Sequence, residues 1–257
     1  MKGMGAMYQN LLDNLSELKL EKIYTYLPVF LDNATESDMP FIDAMCHLTE
    51  LELDFRKEKA SQSMIDGSGF PFVKTLNDFD FDYQPSVNKT QIFDFNSLRF
   101  LQKAENLLFY GSSGVGKTHL AVAIGVTAAH SRISTCFISC HNLISQLNKA
   151  HKQNKFEQKL RFFAKFKLLI IDEIGYLPVD KQGANLFFQL IAARYEKNST
   201  IITTNQAFSK WSEIFTSPSL ANAILDRLLH HCHIIKITGL SYRLKDSAAF
   251  AESDTQH

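Results

Sequence analysis

The chain has 257 residues, 45% of them hydrophobic and 21% charged, with 27 Lys and Arg balanced by 27 Asp and Glu. That length allows one large domain, or a medium domain with a small appendage, and the even balance excludes a globally basic nucleic-acid binder. The charge is nonetheless uneven, with 6 basic and 12 acidic side chains in residues 1–66 and 21 against 15 in the rest, so an anionic partner should favour the second part. Cys46, Cys136, Cys140 and Cys232 show no C-x-x-C pairing or metal-ligand spacing and read as ordinary thiols of a reducing compartment. No early segment has signal-peptide form and no apolar run approaches bilayer length, so a cytoplasmic protein without membrane contact is expected.

From Tyr8 to about Ser63 apolar residues recur at helical spacing, including Leu11, Leu15, Leu18, Ile23, Leu27 and Phe30. Pro28 is expected to kink or divide this segment. A further helix should start at Asp38-Met39-Pro40, with Ser37 or Asp38 as cap and Pro40 in the first turn, and carry Phe41, Met45, Leu48, Leu51 and Phe55 on one face. The module is either an appendage burying its stripe or an adaptor that grips a partner protein; an apolar stripe does not separate the two. Asp66-Gly67-Ser68-Gly69 reads as the linker, which places a helical domain at 1–66, a linker and aromatic strap at 67–105 and the main domain at 106–257. The strap, Phe79-Asp80-Phe81-Asp82-Tyr83, can anchor on the main domain or wall a ligand site. Residues 96–103 read as a short helix.

The runs Leu107 to Tyr110, Thr135 to Cys140, Leu168 to Asp172, Thr200 to Thr204 and His233 to Ile237 are short, apolar and β-rich, and helical stretches separate them. This alternation predicts a five-stranded parallel α/β sheet with ligands at its carboxyl ends. After the first run comes Gly111-Ser112-Ser113-Gly114-Val115-Gly116-Lys117-Thr118, which opens the helical pattern Lys117 to His130 and so has the strand, glycine loop and helix of a P-loop. Inward-facing backbone amides surround phosphates, Lys117 reaches the β- and γ-phosphates, and the Thr118 hydroxyl ligates Mg²⁺.

Asp172 and Glu173 end the third run, where one acid can hold Mg²⁺ and the other can take a proton from the attacking water. Asn205, after the next run, can order that water. Arg227 and Arg243 are candidates for stabilising charge on the transferring phosphoryl group, and spacing does not choose between them. Lys149, Lys152, Lys155, Lys159 and Arg161 lie between the second and third runs; a continuous helix would align the four lysines on one face, suited to sequence-tolerant phosphate contact or simply to solvent.

The series GSSGVGKTHLA, LLIIDEIGYLP, RYE followed by STIITTN, then Trp211, AILDRLLH and GLSYR resembles the IstB-like AAA+ ATPases over nearly the whole chain. These are helper proteins encoded beside the transposase in one class of bacterial insertion sequences, and they are related to replicative helicase loaders. The resemblance implies a P-loop AAA+ domain without a C-terminal lid, preceded by a small helical domain. It also implies an ATPase that uses ATP and Mg²⁺, assembles as an oligomer on duplex DNA and recruits or activates a cognate transposase; helicase loading is the alternative. Residues 111–118 together with His119 are then the ATP-binding set, Thr118 and Asp172 the metal set, Glu173 the base and Asn205 the first sensor. Arg227 matches an arginine finger acting in trans, and Arg243 a second sensor-like arginine. Residues 56–70 depart from the more basic helix typical of the family.

Overall fold

The computed structural model describes residues 2–36, 38–176 and 178–245. The chain forms two compact units, residues 1–63 and 64–257.

The first unit contains α1 (Lys2–Glu17), α2 (Glu21–Glu36) and most of α3 (Phe41–Gly67). Contrary to expectation, Pro28 does not divide a helix. The break falls earlier, at Lys19 with φ 55°, while α2 runs on through the proline with Leu27 and Phe30 buried on either side of it. Glu52 explains why a helix starts at Glu21. Its buried carboxylate accepts from the Lys22 and Ile23 amides at 2.8 and 3.2 Å and from Arg56 Nε at 2.8 Å, which satisfies otherwise orphaned donors of the first turn. Burial opposes ionisation of Glu52, but the Arg56 bond and the two amides prevail and hold its carboxyl below the usual range.

Asp38 is not the expected cap of α3. At φ 48° it reverses the chain after α2, with the Met39 amide donating to Ala34 O, and Pro40 stands before the helix rather than in its first turn. Ser37 lies outside the described residues. The expected stripe of α3 holds only in part: Leu48 is buried and Leu51 and Phe55 are half-buried, but Phe41 and Met45 are exposed and the polar Glu52 is buried. α3 ends inside the expected linker, with Asp66 and Gly67 as its last residues and Gly69 at φ 75° beyond it.

The second unit adds α4 (Lys89–Asn96), β1 (Asn106–Gly111), α5 (Lys117–His130), β2 (Thr135–Ser139), α6 (Cys140–Lys152) and α7 (Phe156–Ala164), then β3 (Leu168–Ile174), α8 (Lys181–Arg194), β4 (Ser199–Thr204), α9 (Trp211–Ile214), α10 (Pro218–Leu229) and β5 (Cys232–Ile237). The helix expected at 96–103 is instead the end of α4 and a 3-10 turn, Arg99–Lys103, separated by Leu98 at φ 65°. The five strands form one parallel sheet in the order β2-β3-β4-β1-β5. Burial on both faces explains the near-continuous apolar runs of β1 and β3, while the edge strands β2 and β5 are partly exposed. One face carries α6 to α10, with Trp211, Phe187 and Phe215 in the core; the other carries α4, α5 and the strap. Among the described residues, only a 3-10 turn, Tyr242–Leu244, follows β5, and no helix is long and apolar enough to cross a membrane.

Arg194 closes the end of the sheet remote from the P-loop. It is 1% exposed, yet meets no carboxylate in the bonds that hold it. Its guanidinium donates to Phe163 O, Ala164 O, Phe166 O, Ser199 O and Thr200 Oγ1, stitching the end of α7 to the start of β4. Burial pushes its pKa down to about 9, so the charge is tolerated only through this ring of acceptors. Arg194→Ala should lower stability by roughly 3 kcal/mol by leaving buried carbonyls unpaired. Urea unfolding followed through Trp211 fluorescence reads this loss, and an unchanged midpoint would contradict it.

Candidate functional site

The carboxyl ends of β1, β3 and β4 meet at a cleft of about 790 Å³. Phe109 and Tyr110 of β1 register with Thr203 and Thr204 of β4, and β4 registers in turn with β3, which brings the glycine loop and the acid pair to one edge.

The loop's path requires its glycines. Gly114 and Gly116 have φ 79° and 99°, the left-handed region that a side chain strains. A Cβ on Gly116 would lie 2.5 Å from the Phe79 ring, and one on Gly114 would lie 1.9 Å from Ser241 Oγ. Lys117 Nζ donates to Gly111 O at 2.8 Å and Ser112 O at 2.6 Å, folded back on its own loop. Burial lowers the Lys117 pKa and Arg243 adds to the effect, while Asp172 and Glu173 pull it up.

Opposite the loop, Thr118 Oγ1 donates to Asp172 Oδ1 at 2.9 Å, and Thr203 Oγ1 donates to the same oxygen at 2.6 Å. Asp172 is 6% exposed. The next residue breaks the strand's regularity: the β3–β4 register shifts between Ile171 and Ile174, and Glu173 takes φ 61°. Its amide leaves the ladder and donates to Thr203 Oγ1 at 2.9 Å. This bulge keeps Asp172 buried and turns the Glu173 side chain outward into the cleft. Thr203, which the sequence reading passed over in favour of Asn205, therefore orients both acids. The available signal was weak: a hydroxyl two residues before Asn205, at the end of the neighbouring strand.

The strap anchors on the main domain and reaches the wall of the cleft. Phe79 is buried in the core, stacks edge-on to Phe81 at 4.8 Å and His119 at 5.3 Å, and covers Gly116 at the cleft wall. His119 Nε2 lies 3.1 Å from Thr75 O, and burial lowers the imidazole's pKa. Thr203, Thr204, Asn205, Tyr242 and Arg243 also line the cleft. The Tyr242 amide donates to Gly114 O at 2.9 Å, Tyr83 Oη to Ser241 O at 3.3 Å, and Lys245 Nζ to Asp80 Oδ2 at 2.8 Å, tying the chain after β5 to the loop and to the strap.

Arg227 is not in the cleft of its own chain. It lies on α10, its Nη1 donates to Ala223 O at 3.0 Å, and its guanidinium rests 4.7 Å over the Phe188 ring. The basic series is also dispersed, because the continuous helix expected beneath it does not form. The chain leaves α6 at Lys152, turns through Asn154 at φ 54° and starts α7 at Phe156, with Lys155 in the break. Lys149 and Lys152 line a second cleft of about 870 Å³ that meets the first at Ser139, Glu173 and Tyr176. Lys159 instead sits 4.7 and 4.9 Å over Phe162 and Phe163, and Arg161 is exposed on α7.

The sequence profile described as IstB-like ATP binding protein matches residues 13–249. The chain is 51% identical over 243 residues to the ATP-binding protein of insertion sequence IS232 from Bacillus thuringiensis subsp. berliner, covering 95% of this chain and 97% of that one. It is 39% identical over 232 residues to the ATP-binding protein of insertion sequence IS21 from Pseudomonas aeruginosa, covering 90% and 88%. Among solved structures, the DnaC helicase loader matches with TM-score 0.51 and 24% identity over 58% of this chain and 87% of that chain, a likeness of fold.

Replacing Thr203 by valine keeps the shape and removes both hydroxyl bonds, so Thr203→Val should lower stability by about 2 kcal/mol while Thr203→Ser retains most of it. Denaturant midpoints of the two variants test this, and equal losses would show that the hydroxyl is not what matters.

Proposed function

The chain belongs to the IstB-like ATP-binding protein family, and from that premise we propose that it is a cytoplasmic, Mg²⁺-dependent ATPase. In this reading it assembles as an oligomer on duplex DNA and recruits or activates the transposase encoded beside it. The observation that carries the catalytic part is the Thr118–Asp172 pair beside an outward-turned Glu173, all facing the glycine loop across one cleft.

The amides of residues 111–118 receive the phosphates, and Lys117, now held by two loop carbonyls, is within reach of the same space. Thr118 Oγ1 and the Asp172 carboxylate are hard oxygen donors already 2.9 Å apart, which suits Mg²⁺. When bound, the ion supplies charge neutralisation at the β- and γ-phosphate oxygens. Glu173 takes the proton of the attacking water and Asn205 orients that water. Arg243 lines the cleft beside Lys117 and is assigned to the phosphates of its own subunit. Arg227, half-buried on α10 and outside that cleft, is assigned to the nucleotide of a neighbouring subunit, which makes hydrolysis depend on assembly.

Duplex DNA is assigned to the second unit, which carries the excess of basic residues, with Lys149, Lys152, Lys155, Lys159 and Arg161 as contacts. Spread over two helices and a turn, these charges suit backbone phosphates rather than base edges, so binding should fall steeply with salt and tolerate any sequence. The acidic helical unit at the amino end is assigned to the protein partner.

Lys117→Ala should abolish ATP binding, whereas Glu173→Gln should bind ATP normally and lose hydrolysis by on the order of 100-fold or more, read by nucleotide-binding and phosphate-release assays. Parent-like turnover in Glu173→Gln would overturn the base assignment. Mixing Arg227→Ala with Glu173→Gln subunits should restore part of the activity, since each supplies what the other lacks; no recovery at any ratio would remove the trans role. Titration of long duplex and single-stranded DNA, with ATP, ADP or no nucleotide and at two salt concentrations, tests the DNA step. ATP-dependent, salt-sensitive duplex binding is expected, and binding confined to single strands would replace this reading by that of a helicase loader.

A further inference from the structure

Where the carboxyl ends of α8 and α10 meet, at the edge of the sheet opposite the nucleotide cleft, three potential ligand side chains converge. We propose that Glu196, His230 and His231 form a binding site for a divalent transition-metal ion of the zinc class.

The geometry carries the proposal. One oxygen of Glu196 lies 3.6 Å from His230 Nδ1 and 3.5 Å from His231 Nε2, and the three ligand atoms all fall within 4.8 Å of one another. Metal–ligand bonds of about 2.0–2.2 Å in a tetrahedral shell separate neighbouring ligands by roughly 3.3 Å, so little movement is needed to close on an ion. The two imidazoles are consecutive in the chain, with ring centroids 4.0 Å apart. Glu196 reaches them through φ 56°, an unfavourable backbone conformation for glutamate that turns its carboxylate back toward the rings.

The surroundings favour a cation. Tyr195 closes α8, its amide donating to Ile191 O, and His230 closes α10, its amide donating to Asp226 O. The negative ends of two helix dipoles therefore meet at the cluster, and each favours positive charge there. The donor set is nitrogen and oxygen. Cys232, next in the chain, packs against the core and burial pushes its thiol up to about 12, while His233 is taken by Glu105 at 3.1 Å. Two imidazoles and a carboxylate suit zinc and its neighbours better than Mg²⁺ or Ca²⁺, which prefer oxygen alone. Without an ion, the Tyr195 hydroxyl holds His230 Nδ1 at 2.7 Å and must give way when that nitrogen ligates. Three protein ligands leave a fourth position for water or a donor from another molecule.

The test uses the full chain, stripped with a chelator and titrated with Zn²⁺ by calorimetry, alongside the His230→Gln/His231→Gln double variant and Glu196→Gln. One equivalent should bind to the parent, and affinity should fall at least ~10-fold in each variant. Co²⁺ should give the parent a visible ligand-field absorption that Zn²⁺ displaces and the double variant lacks. If the double variant does not fold by circular dichroism, the Glu196→Gln comparison decides alone. Equal zinc binding by parent and folded variants, or no stoichiometric binding by the parent, would overturn the site.

Discussion

One hydroxyl organises the acid pair at the cleft edge. Thr203 Oγ1 gives its proton to Asp172 and accepts the amide of Glu173, so a single atom fixes the side chain of one acid and the backbone of the next. Regular strand pairing cannot provide this, because consecutive residues of a strand point to opposite faces. The bulge between Ile171 and Ile174 resolves the difficulty, and the positive φ of Glu173 is the local strain that accompanies it. The Thr118–Asp172 bond that faces the glycine loop depends on that acid being where the bulge leaves it.

The scaffold behind this edge is stiff for ordinary reasons. β1, β3 and β4 are buried on both faces, and α5 contributes an almost entirely buried run from Leu120 to Val126. A close-packed interior transmits displacement rather than absorbing it. The first unit is a contrast. Its core is small, around Leu15, Ile23, Leu27, Phe30 and Leu48, and Phe41, Ile42 and Met45 remain exposed.

Much of the nucleotide-binding fold was legible in the sequence because it rests on local pattern. An apolar run followed by a glycine loop and a helical period specifies its own geometry, and five such runs separated by helices leave few topologies. What was not legible depends on contacts distant in sequence. Nothing near Glu173 announces a bulge that Thr203, on another strand, enforces. The lysine spacing at 149–159 is helical throughout, but the chain turns at Asn154, and Phe156 and Phe163 then pack against one core. Pro28 looked like a break, yet buried side chains on both sides of it keep α2 continuous, and the cap that starts that helix is a glutamate thirty residues away.

The ties between the strap and the segment after β5 bear on how the protein comes into being on the ribosome. Tyr83 to Ser241, Gln84 to Leu240 and Asp80 to Lys245 join residues 156 to 165 positions apart. Gly114 receives its bond from Tyr242, so the phosphate loop reaches its final setting only after that tyrosine has left the exit tunnel. Domains fold as units during synthesis, and contacts of long sequence separation form late. A nascent chain can thus carry the complete P-loop sequence without its finished cleft, which waits for the segment after β5.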